Sequence, residues 1–73
     1  MGSTLELLAY AQRRRGMTLS DYSRHLGYQR NTLNISMHRG KLSPHLAAAI
    51  AKDIGEPWEK WAAKAAMENQ RRG

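Results

Sequence analysis

The sequence predicts an all-α protein, one domain of five short helices, and three observations carry that prediction. Apolar residues recur at the i, i+3, i+4 and i+7 spacing that gathers them on one face of a helix. Helix-start residues and glycine stops punctuate the chain, with Gly16, Gly27, Gly40 and Gly55 closing successive segments. The length of 73 residues is that of a single domain with a marginal core, to which a second subunit would add stability. The segments fall at about 5–15, 19–26, 30–38, 44–54 and 57–69, boundaries set by these start and stop signals.

The first helix is capped by Ser3 or Thr4 and carries a stripe of Leu5, Leu8 and Ala9, widened by Leu7 and Ala11. Arg13, Arg14 and Arg15 crowd its last turn, where they complement the negative end of the helix dipole. A phosphate clamp is the other reading of these arginines. The second helix opens at Thr18, with Asp21 three residues on completing a capping box. Leu19, Tyr22, Ser23 and Leu26 form its buried face, and the small Ser23 lets another helix come close. The third helix follows almost at once, buries Leu33 and Met37, and turns Asn31, Asn34, Ile35 and His38 to the opposite side.

That opposite side is unlike an ordinary solvated face. It combines two carboxamides, an imidazole and a β-branched apolar residue, and the chain has no acid between Asp21 and Asp53. Asn pairs with adenine edges in the major groove, Arg with guanine, and apolar groups touch the thymine methyl. The expected base readers are therefore Asn31, Asn34, Ile35 and His38, with Arg30 reaching either a base or a phosphate. Thr18 and Ser20, at the start of the second helix, and Arg39 and Lys41, in the basic turn after the third, are the expected phosphate contacts.

The run from Gly16 to Gly27, GMTLSDYSRHLG, is similar position by position to the helix-turn-helix pattern G-L-T-Q-x-x-L-A-x-x-L-G of phage repressor and Cro-like (XRE) regulators. Ile50 to Gly55, IAKDIG, resembles the later I-A-x-x-L-G segment of that family. The resemblance spans most of the chain through packing and turn residues. It departs at Leu19, where the family often has Gln, and at Ser36, where a large apolar residue is common. It implies a lambda-repressor-like DNA-binding domain and a phage or prophage-type transcriptional regulator that represses by occupying an operator.

Ser43 and Pro44 open a fourth helix, cap and first position, with Leu46, Ala47, Ala49, Ile50 and Ile54 available to bury. Pro57 opens the fifth, whose strip of Trp58, Trp61, Ala62, Ala65 and Ala66 admits two readings. One tryptophan finishes the monomer core. The other belongs to a homodimer interface with Ala65, since aromatics are favoured at interface cores and operators are commonly two-fold symmetric. Arg71 and Arg72 in the polar tail add non-specific attraction.

Composition bounds the remaining possibilities. Twelve Lys and Arg against six Asp and Glu give a net charge of +6, so the chain attracts polyanions. Absence of cysteine removes disulfides, thiolate ligands and thiol nucleophiles, in keeping with a cytoplasmic, nucleoid-associated location. No apolar run approaches the roughly 20 residues of a membrane span, and Glu6 interrupts the first apolar stretch where a signal peptide needs continuity. His25, His38 and His45 lack zinc-ligand spacing, the acids are scattered, and no phosphate loop or nucleophile elbow occurs. The expectation is a DNA-binding protein without enzyme activity, metal, cofactor or small-molecule ligand. The alternatives are a protein-interaction module using the Trp58 and Trp61 strip, an excisionase-like architectural DNA-binding factor, and a basic protein acting at membranes.

Overall fold

Capping chemistry sets most of the boundaries in the computed structural model, which describes residues 3–70. Among these residues α1 spans Thr4–Arg15, α2 Leu19–His25, α3 Thr32–Arg39, α4 Pro44–Asp53 and α5 Trp58–Gln70. Ser3, Thr18 and Ser43 each stand in extended backbone and accept from the amide three residues on, the N-cap geometry. Three helices end on the same device. Tyr28 N–H bonds Ser23 C=O, Lys41 N–H bonds Ser36 C=O and Glu56 N–H bonds Ala51 C=O, each across a glycine in the left-handed region. Gly27 at φ 92° and Gly40 at φ 82° hold these turns because a side chain there would be strained, although the space beside both is open.

Leu7, Leu8 and Ala11 of α1, Tyr22 of α2, Leu33 of α3, Leu42 and the α4 residues Leu46, Ala47, Ile50 and Ala51 make one core, closed by Ala65 of α5. Small residues on both sides let α4 and α5 pack most closely. Full burial of a Leu or Ile contributes roughly 1.5–3 kcal/mol.

Four expectations are corrected here. The α1 stripe centres on Thr4, Leu7, Leu8 and Ala11, while Leu5 and Ala9 flank it half-buried. In α3 the residue buried beside Leu33 is Ser36, and Met37 lies exposed, because packing against α2 rolls the core face of the helix toward Ser36. A serine fits this narrow contact by donating its hydroxyl to its own helix, at Thr32 O. In α4 Ala51 is buried and Ala49 is half-buried. Ala65 is fully buried in the monomer core, so it is not an interface residue.

Two polar junctions fix the helix arrangement. Arg15 forks onto the Asp53 carboxylate at 2.9 and 3.1 Å and also donates to the Asp53 carbonyl. Tyr22 Oη donates to the same carboxylate at 2.9 Å, and His25 Nε2 lies 2.9 Å from it, so α1, α2 and α4 meet on one acid. Burial works to raise the Asp53 pKa, but the hydrogen bonds from Arg15, His25 and Tyr22 outweigh it and hold the carboxyl below its ordinary range. At the other end, Glu68 of α5 accepts from Thr4 N–H at 3.0 Å and from Thr4 Oγ1 at 2.6 Å, placing a carboxylate on the positive end of α1. Asn69 donates to Leu42 O and so ties the α3–α4 loop to α5.

Candidate nucleic-acid interface

The geometry of α3 follows from a hydrogen bond made by its neighbour. Ser23 Oγ of α2 accepts from the buried Leu33 N–H at 3.0 Å while donating to Leu19 O at 2.8 Å. A first-turn amide of α3, ordinarily satisfied by the N-cap side chain, is thus satisfied from another helix. Asn31, at the N-cap position, makes no capping bond. Its carboxamide is left for something else.

With Leu33 and Ser36 inward, Asn31, Asn34, Ile35 and His38 share the outer face, all exposed, with Ile35 49 % exposed. The first turn of α3 carries no acid. Asn34 Nδ2 reaches Ser20 Oγ at 3.5 Å, a long contact that sets the start of α2 beside this face. Arg30 lies exposed in the turn before α3, not within the helix as its expected start at 30 required, because Thr32 N–H bonds Gln29 O and closes that turn. Thr18 is the exposed cap of α2 and Ser20 is half-buried. Arg39 ends α3, and Lys41 follows in the loop; with Ser36, Ser43, Leu46 and Asn69 they line a pocket of about 100 Å³. Among the described residues only Arg15 and His25 stand within salt-bridge reach of a carboxylate, and Arg30, Arg39 and Lys41 do not.

Other singled-out residues fall elsewhere. Trp58 is 42 % exposed with Lys52 Nζ 4.7 Å from its ring centre, whereas Trp61 packs half-buried on the core beneath Lys64. Of the arginine run, Arg15 is the Asp53 partner and Arg14 donates to Tyr10, so both are bound within the protein. His25, still exposed, joins the Asp53 junction. Arg71 and Arg72 lie outside the described residues. Sequence reasoning missed a groove of about 650 Å³ lined by Arg24, Tyr28, Gln29, Arg30 and Asn31. The cationic, aromatic and amide character of the 28–31 run was its only signal.

These features define a class: a small all-α chain whose paired α2 and α3 present an acid-free amide face between cations. The chain matches no known family model, and neither characterised proteins nor solved structures give a match. Among the described residues, no helix is long and apolar enough to cross a membrane, and no three His, Cys, Asp or Glu side chains gather as a metal site would.

Proposed function

We propose that this protein is a sequence-specific double-stranded DNA-binding regulator of the phage repressor and Cro-like kind, acting by operator occupancy. The observation that carries the proposal is the outer face of α3. Asn31, Asn34, Ile35 and His38 are exposed together, and Ser23 relieves Asn31 of the cap it would otherwise provide. The eight residues of α3 make a rod about 12 Å long, comparable with the width of the major groove. Asn31 and Asn34 are the adenine readers, Ile35 the thymine-methyl contact and His38 a further base contact, while Thr18, Ser20, Arg39 and Lys41 hold phosphates. Two copies on a two-fold site would use the exposed Trp58 corner as their contact.

The test is a titration of a duplex selected from a random pool against a scrambled duplex. The regulator reading expects roughly a thousandfold preference or more for the selected site. Asn34→Ala should lose about 1–3 kcal/mol on that site while leaving scrambled duplex almost unchanged. Equal affinity of the wild type for both duplexes would sink the reading, and equal losses on both would remove Asn34 as a base reader.

A further inference from the structure

The sequence assigns nothing to Arg24 or Tyr28, and Arg30 is left between base and phosphate. The structure brings the three together in the 650 Å³ groove at the start of α3, with Gln29 and Asn31 completing its walls. All five side chains are exposed, and among the described residues neither guanidinium has a hydrogen-bonding side chain or a carboxylate within reach. Arg24 lies one turn beyond Ser20 on the same flank of α2, the flank on which Ser20 meets Asn34 of the reading face. The groove therefore adjoins the reading face at the N-terminal end of α3. Arg39 and Lys41 adjoin it at the C-terminal end.

We propose that this groove is a second backbone clip, in which Arg24 and Arg30 each take a phosphate of duplex DNA and the Tyr28 hydroxyl donates to the same strand. The inference rests on the DNA-binding reading above. Its physical content is the spacing. Arg24 and Arg30 stand beside the N-terminal end of α3 and Arg39 and Lys41 at its C-terminal end, so the DNA backbone is held on both sides of the base-reading residues. The groove is open, has room for more than one phosphate, and carries two fixed positive charges without an acid among its lining residues. Arg30 becomes a positioning contact instead of a base reader, and reading is left to the outer face of α3.

The experiment uses the full chain and a mixed-sequence duplex, with affinity measured by fluorescence anisotropy across a salt series. Arg24→Gln and Arg30→Gln should each lower the slope of log K against log salt by about 0.9. Each should also weaken binding about eightfold near 0.1 M salt, the same loss expressed at one concentration. The exposed Lys60 of α5, outside the groove, serves as control, and Lys60→Gln should move neither quantity. A methylphosphonate scan of the duplex should reveal a position whose neutralisation removes the difference between wild type and Arg24→Gln. An unchanged slope in Arg24→Gln overturns the clip while the wild-type slope keeps the DNA reading intact. An Arg30→Gln variant that loses affinity only on a selected site, at constant slope, overturns the clip in favour of base readout. A wild type with no affinity for duplex overturns both readings.

Discussion

Replacing Ser23 by alanine should cost more than its size suggests. The hydroxyl accepts from Leu33 N–H at 3.0 Å and donates to Leu19 O at 2.8 Å, and both Ser23 and Leu33 are fully buried. Leu19 O keeps the helical bond of its own turn, so the serious loss is at Leu33 N–H, which water cannot reach. A buried donor left without a partner costs about 1–3 kcal/mol, and loss of an N-cap costs about 0.5–2; these describe one event and are not summed. About 2 kcal/mol is the working figure. For a domain of this size that corresponds to a fall in Tm of roughly 8–16 °C. Thermal and urea unfolding followed by circular dichroism measure the loss, and amide hydrogen exchange at Leu33 shows whether it is local to the start of α3. Ser23→Thr retains the hydroxyl and separates crowding from hydrogen bonding. A Ser23→Ala protein within about 0.5 kcal/mol of wild type, the ordinary scale of a neutral change, would refute the cross-helix cap.

Other expectations follow from the same contacts. Asp53 has a depressed pKa in the folded state, so its stabilisation is present above the unfolded value of 3.8 and disappears as pH falls through the lower folded value. Tyr22 is raised, chiefly by burial and then by its bond to Asp53, so its contribution persists below about pH 10 and is lost as pH rises toward its folded value. Urea midpoints measured across pH should form a plateau between these limits, and Asp53→Asn should lower the plateau and flatten its acid edge. An unaltered acid edge in Asp53→Asn would show that another carboxylate governs acid unfolding. Leu33→Ala should cost about 2–5 kcal/mol and Met37→Ala less than about 0.5, and the reverse order would contradict the orientation of α3. Glu68→Gln should destabilise by about 1 kcal/mol and lose its advantage in high salt, because a charge at the start of α1 is removed while most of the hydrogen bonding can remain.

Local chemistry was readable from the chain wherever one residue decides it alone. Ser43 with Pro44, Thr18 with Asp21, and the glycines at 27, 40 and 55 stop or start helices through their own backbone requirements, so five helices and their order could be derived without coordinates. The outer face of α3 was legible for a similar reason: the spacing of Asn31, Asn34, Ile35 and His38 fixes that they share a side, whichever residues lie opposite. Their exposure together agrees with that derivation.

Sequence could not decide which of two neighbouring stripes each helix buries. A strip such as Leu5, Leu8 and Ala9, or Leu33 and Met37, differs from the observed one by a roll of the helix, and the partner surface sets that roll. Ala65 shows the same limit: an alanine suits an interface and a close helix contact equally, and only α4 packed against α5 makes it core. Long-range polar pairings were equally hidden. Arg15 and Asp53 lie 38 residues apart, and Thr4 and Glu68 lie 64 apart, so neither junction has a local signature. The chain by itself determined the helices, their caps and the composition of one exposed face, because those depend on neighbours within a turn or two. The tertiary structure decided the roll of each helix and the partners of Asp53 and Glu68, because these depend on which residues far apart in the chain pack together.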